Sequence, residues 1–378
     1  MSTNNARFPF LKKTQRNKRE IEKGKPENLQ AMATSCLLCF CIVLTLFHFT
    51  TCLTPSIGVT YPALPFTDDR APVKIPSTFF GRKVTHVRLA DSHPSLIKYF
   101  ASTNTSLFLS IPNTFLPAMA ADYPVALLWV YTHVASHPES KIKLISVGEL
   151  SGEKDDYTSV IPAIWNVHRA LQTLGLNTTK VSTTLSFSST ITTANPPSSA
   201  QFIEPATEPM IKPLLHFLNQ TKSPFLINIH PYQLFQEVEI LPVAFALFKK
   251  YPLNFLEDPL TRLKYFNLFD MMVDAVISAL AGAGYKDVAI VVLETGWPVT
   301  GGAGEFEANR KFYNMYVEGL IGHLKSGVGT PLKKQAISEV YVLIDTAGWS
   351  SFPNMTGKRA AVIAGLVSLG FIIKKWFM

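Results

Sequence analysis

Two glutamates stand where strands should end and chemistry could begin. Glu294 lies in Leu293-Glu294-Thr295-Gly296-Trp297-Pro298, directly after the apolar run Val288–Leu293. Glu149 lies in Val147-Gly148-Glu149-Leu150, after Lys143–Val147. A carboxyl group so placed can take a proton, give one up or attack an electrophilic carbon. The plain alternative for either is a solvated glutamate at a strand end. Other chemistries have less to work with. All four cysteines, Cys36, Cys39, Cys41 and Cys52, fall in or beside one apolar segment, so the chain beyond Cys52 has no thiol for a disulfide or a zinc site. No glycine-rich phosphate loop follows a strand, and no ligand cluster is visible. Neither a metal nor an organic cofactor is expected.

The elements that must position these glutamates alternate in type. Strands are expected at Ile57–Thr60, Val84–Leu89, Ser106–Ile111, Lys143–Val147, Lys180–Thr184, Phe225–Ile229, Val288–Leu293 and Glu339–Ile344, from short β-branched and apolar runs. Helical periodicity fills several gaps, notably Ala126–Ser136, Pro162–Leu174, Glu208–Leu218 and Leu268–Ala281. Eight strands interleaved with helices suit a (β/α)8 TIM barrel, an α/β fold, better than an open dinucleotide-binding sheet. In such barrels the chemistry sits at the C-terminal strand ends, where both glutamates fall.

Composition agrees with a packed domain. The chain has 378 residues, 47% hydrophobic and 16% charged, enough apolar material for a large core. The net charge of +8 is misleading, because the first 30 residues carry five of those charges. The basic character belongs to a tail, and without an RNA-binding aromatic motif it gives no reason to expect a nucleic-acid partner.

Residues 1–56 read as a basic extension followed by a signal peptide or signal anchor, with the apolar stretch Cys36–Phe49 shorter than the roughly 20 residues of a membrane span. Residues 57–345 form the barrel, and 346–378 a tail containing the apolar run Ala360–Ile373. That run resembles a lipid-anchor signal, although Lys374 and Lys375 fit it poorly; a short membrane anchor or a docking helix is an alternative. Acceptor triplets for glycosylation begin at Asn104, Asn177, Asn219 and Asn354 and support an extracellular or cell-wall location, with attachment to the plasma membrane as a further option.

Several stretches resemble glycoside hydrolase family 17, the plant endo-1,3-β-glucanases, in order along the chain. They are Ile57-Gly58-Val59-Thr60-Tyr61, Val87-Arg88-Leu89-Ala90-Asp91, Ile111-Pro112-Asn113, Asn228-Ile229-His230-Pro231-Tyr232, Asn267–Val276 and Val292–Pro298, followed by Gly301-Gly302, Tyr313-Asn314 and Gly329-Thr330-Pro331. The resemblance implies a retaining double displacement on internal 1,3-β-glucosidic linkages of cell-wall glucan, with Glu294 as nucleophile. It also implies sugar contacts at Tyr61, Asn228, Tyr232 and Trp297, with Trp297 and Pro298 shaping the cleft wall beside Glu294. Transglycosylation would use the same intermediate with a sugar as acceptor.

Two departures matter. Where the family has Val-Gly-Asn-Glu, this chain has Val147-Gly148-Glu149-Leu150. Aligned without a gap, Leu150 takes the acid's place. With one residue deleted, Glu149 becomes the acid/base and the neighbouring asparagine is lost. Glu153 could also reach back from a loop. Without an acid the chain would be a catalytically impaired glucan-binding protein of the same fold. The second departure follows Val340–Asp345, where Thr346-Ala347-Gly348-Trp349 replaces an acidic segment, so the eighth-strand region is expected to be incomplete.

Overall fold

The computed structural model describes residues 54–61, 78–79, 82–152, 157–204, 207–238 and 241–343. Eight parallel strands form a closed barrel: β1 Ser56–Tyr61, β2 His86–Leu89, β3 Ser106–Ile111, β4 Lys141–Leu150, β5 Lys180–Ser186, β6 Phe225–Asn228, β7 Ile290–Thr295 and β8 Ile337–Leu343. Each expected strand is present. The expected weakness at the eighth strand is not: β8 pairs in register with β1 from Ser56↔Glu339 to Thr60↔Leu343 and closes the barrel. Consecutive buried residues Val340, Tyr341 and Val342 give β8 a buried side on each face of the wall, which is what a closing strand requires. The segment after Leu343, with Asp345, lies outside the described residues, as do Glu153, Asn354, all four cysteines and both terminal apolar runs.

The connecting helices cover the outside. They include α1 Pro94–Ala101, α2 Tyr123–Val130, α3 Tyr157–Thr173, α4 Lys212–Thr221, α5 Leu268–Gly282 and α6 Arg310–Ser326. Caps set their limits. The Asn267 side chain accepts from the Asp270 N–H to open α5, and Asn309 accepts from the N–H groups of Lys311 and Phe312 to open α6. Gly327, at φ 66°, ends α6 in the left-handed conformation. Helix α3 starts at Tyr157, before the expected Pro162, and accommodates that proline inside the helix. No helix among the described residues is long and apolar enough to cross a membrane.

The barrel lumen is filled, not hollow. Phe108, Leu144, Leu226, Val291, Leu293 and Tyr341 pack together inside it, and the Tyr341 hydroxyl donates to Glu339 Oε2 at 2.7 Å. Gly58 on β1 exists for this packing. A Cβ there would stand 2.6 Å from the Tyr341 ring and 3.0 Å from His86 Cβ. Gly58→Ala should therefore destabilise the fold by about 1–3 kcal/mol through overpacking, read as a lowered thermal midpoint. An unchanged midpoint would show that the lumen can yield.

Candidate active site

The polar residues collect at the C-terminal ends of four strands. Arg88 comes from β2, Glu149 from β4, Asn228 from the last position of β6 and Glu294 from β7. An arginine between Val87 and Leu89 in an apolar strand can be buried only if it is paired. Arg88 is 1% exposed, and its two terminal nitrogens go to different carboxyl groups: Nη1 donates to Glu294 Oε2 at 2.8 Å and Nη2 to Glu149 Oε2 at 2.6 Å. Asn228 Nδ2 donates to the other oxygen of Glu149 at 2.6 Å. His230, just past β6, brings Nε2 to 3.7 Å from Glu294 Oε1.

The two carboxyl groups share a cation but not an environment. The Glu294 side chain is 18% exposed and that of Glu149 is 44% exposed. Burial pushes Glu294 up to about 7, against the pull of Arg88 and with the help of the neighbouring Glu149 charge. Glu149 also bears a desolvation cost. The Arg88 charge and hydrogen bond, followed by the Asn228 amide, outweigh it and hold the group below the usual carboxylate range. Burial lowers His230 to about 4, so its imidazole is neutral at physiological pH and its contact with Glu294 is not an ion pair.

The backbone of β4 decides which residue faces the pair. Pairings Ser146↔Ser182 and Glu149↔Thr184 with β5 bracket a bulge, and Gly148 within it has φ 81°. The bulge turns Glu149 toward Arg88. Leu150 is 2% exposed and lines a separate small pocket with Leu185, Thr190, Met210 and Ile211. Both glutamates are thus the penultimate residues of their strands, and not residues just beyond them as the sequence suggested. The Asn113 side chain, following β3, accepts from the Glu149 N–H at 2.7 Å and donates to the Glu149 carbonyl at 2.8 Å.

The expected sugar-contact residues divide. Asn228 joins the pair directly. Tyr61, at the end of β1, and Tyr232 are 4% and 6% exposed. Trp297 is fully buried: its indole N–H donates to the Glu307 carbonyl at 2.8 Å, and Tyr232, Phe235 and Tyr316 surround its ring. Its ring has no free face for a sugar, so it braces the wall from behind. The expected direct contact is corrected to packing, because the side chain is fully buried among these rings. Arg88, His230 and Asn113 had not been assigned roles. The signal for Arg88 was a lone cation inside an apolar strand. Asn104, Asn177 and Asn219 are all exposed.

Replacing Arg88 tests this electrostatic account without any substrate. In Arg88→Met, both carboxyl groups would titrate above their unfolded value of about 4.3. The stability they leave would be present below that value and lost as pH rises through the raised folded values. Thermal unfolding should show a deficit of about 3 kcal/mol at pH 8 and a much smaller one at pH 5. Equal deficits would mean that the guanidinium acts by packing alone.

The sequence matches Glycosyl hydrolases family 17 over residues 57–345. It is 35% identical over 278 residues to glucan endo-1,3-beta-glucosidase 1 of Arabidopsis thaliana, covering 72% of this chain and 54% of that protein. It is 35% identical over 264 residues to glucan endo-1,3-beta-D-glucosidase of Olea europaea, covering 68% and 57%. The chain thus spans little more than half the length of these relatives. Among solved structures, a β-1,3-glucanase and pollen allergen of Cryptomeria japonica aligns with TM-score 0.66 at 29% identity, over 76% of this chain and 89% of the other. A plant β-glucan endohydrolase aligns with TM-score 0.62 at 28% identity, over 69% and 81%. The family match spans the whole barrel, from its first strand to beyond its last: this chain belongs to glycosyl hydrolase family 17.

Proposed function

We propose that the chain is a retaining endo-1,3-β-glucanase in which Glu294 attacks the anomeric carbon and Glu149 protonates the leaving oxygen. The observation that carries this reading is the single Arg88 guanidinium bonded to both carboxyl groups. Retention needs two carboxyl groups about 5–5.5 Å apart, and a shared guanidinium favours such close spacing. After the glycosyl-enzyme forms, Glu149 would take a proton from the attacking water and release the sugar. Asn228 Oδ1 and the Tyr232 hydroxyl, buried and without a hydrogen-bond partner among the described residues, are suited to sugar hydroxyls. Exposed Asn104, Asn177 and Asn219 are consistent with glycosylation on a secretory route to the cell wall, where 1,3-β-glucan would be met.

The ionisation pattern in the free site runs opposite to these roles. With one proton on the pair, Glu294 holds it and Glu149 does not. The reactive arrangement has the same proton count and differs only in where the proton sits. A bound sugar would favour the shift. It excludes water from the half-exposed Glu149, which raises that group, and the positive charge that develops at the anomeric carbon in the transition state favours the ionised form of Glu294. The same observation favours a second reading, a glucan-binding protein whose Glu149 is too firmly held by Arg88 and Asn228 to donate a proton.

Incubation with a soluble 1,3-β-glucan separates the two. Cleavage by the parent should fall by about 10²–10⁴-fold in Glu149→Gln and disappear in Glu294→Gln. An oligoglucoside with a good aryl leaving group needs no acid in the first step, so Glu149→Gln should still release the aryl group from it. Binding of glucan without cleavage by the parent, with aryl release from the activated substrate retained, would establish the second reading.

The pH dependence follows from the pair. Above about 7 both groups are ionised and no acid remains; below the lowered Glu149 value both are protonated and no nucleophile remains. For glucan, kcat/KM should be bell-shaped with its alkaline limb near 7, and for the aryl substrate that limb should flatten. An alkaline limb shared by both substrates would argue against Glu149 as the acid.

A further inference from the structure

We propose that Asn113 is a positioning residue for the Glu149 carboxyl group. This rests on the reading that Glu149 works on the substrate, and it explains how a glutamate inside an irregular strand is held to the required precision. Strand β3 accompanies β4 only as far as Ile111↔Val147. Two residues on, the ladder to β5 resumes at Glu149↔Thr184 only after the bulge that follows Ser146↔Ser182. Strand pairing therefore reaches Glu149 from β5 alone, just past a bulge, and its β3 side has no strand beside it.

The Asn113 amide takes the place of the missing strand. Its Oδ1 accepts from the Glu149 N–H at 2.7 Å, and its Nδ2 donates to the Glu149 carbonyl at 2.8 Å. A single planar group thus reproduces both halves of a ladder contact. Asparagine supplies acceptor and donor together at this reach; aspartate lacks the donor, and glutamine is one methylene longer. Gly148 makes room for it. A Cβ at Gly148 would lie 3.1 Å from Asn113 Oδ1 and 2.9 Å from Leu116 Cδ1. Two further contacts hold the bulge from the other side: Ser146 Oγ donates to the Gly148 carbonyl at 2.8 Å and Thr183 Oγ1 to the same oxygen at 3.4 Å. With both backbone groups of Glu149 fixed, its side chain leaves at the angle that meets Arg88 Nη2 and Asn228 Nδ2.

A merely structural role would staple the loop after β3 and do no more. The distinction is measurable, because Asn113 is exposed and its replacement should leave the fold intact. In Asn113→Ala, cleavage of soluble 1,3-β-glucan should fall by roughly 10–100-fold, chiefly in kcat, as expected for a displaced catalytic group. Release from the activated aryl substrate should change by less than about threefold, since its first step needs no acid. Asn113→Asp, which keeps the acceptor, should fall between the parent and Asn113→Ala.

The Glu149 carboxyl can also be followed by 13C NMR titration in glutamate-labelled protein, assigned with Glu149→Gln. It should titrate low in the parent and return toward the usual carboxylate range in Asn113→Ala, as its contacts with Arg88 and Asn228 loosen. Unchanged Glu149 titration in Asn113→Ala would overturn the proposal, as would equal rate losses on both substrates. If the parent cleaves no glucan, the proposed function fails, and the titration still decides the role of Asn113. If Asn113→Ala does not fold, the exposed side chain is a structural requirement and the proposal is overturned.

Discussion

One buried guanidinium organises this site. Arg88 sits in the barrel wall at 1% exposure, a position no arginine can hold without compensation, and the compensation is two carboxyl groups on different strands. The dependence is mutual. Removing the cation leaves two acids facing each other, and removing the acids leaves a desolvated charge in an apolar strand. Because β2, β4 and β7 each contribute one member, barrel closure sets the geometry of the pair. The site is thus as rigid as the wall that carries it.

The remaining polar atoms differentiate the two acids. Glu294 is the more enclosed and borrows one bond from Arg88, so burial dominates and its proton is held up to about 7. Glu149 is nearer solvent and receives both the second Arg88 bond and the Asn228 amide. Two like residues are driven apart by surroundings, the arrangement from which acid and base roles are drawn. Under the proposed roles the free-site polarity is reversed on binding, and the exposure of Glu149 is what would let a sugar do so.

Much of this could be read in the chain before its folding was known. All eight strands could be placed from β-branched and apolar runs, and Glu294 stood out because its motif is local and continuous. Helix α6 was not named, since tyrosines, glycines and charges along Arg310–Ser326 dilute its apolar stripe. Glu149 stayed ambiguous for a sharper reason. Strand residues alternate between faces, so one extra residue in β4 decides whether position 149 or 150 points inward. Neither residue types nor spacing encode that bulge unambiguously; Gly148 at φ 81° is its only local sign. Trp297 misled in the opposite way, since its motif marks the site while its ring is consumed by Tyr232, Phe235 and Tyr316.

The central claim is that Glu149 and Glu294, drawn together by Arg88, act as a closely spaced retaining pair. Proton NMR of the products in the first minutes of digestion, before mutarotation, tests it most directly by recording the configuration of the newly formed reducing ends. The account predicts the β-anomer. Initial appearance of the α-anomer would contradict it, because inversion requires carboxyl groups about 6.5–9.5 Å apart with a water between them.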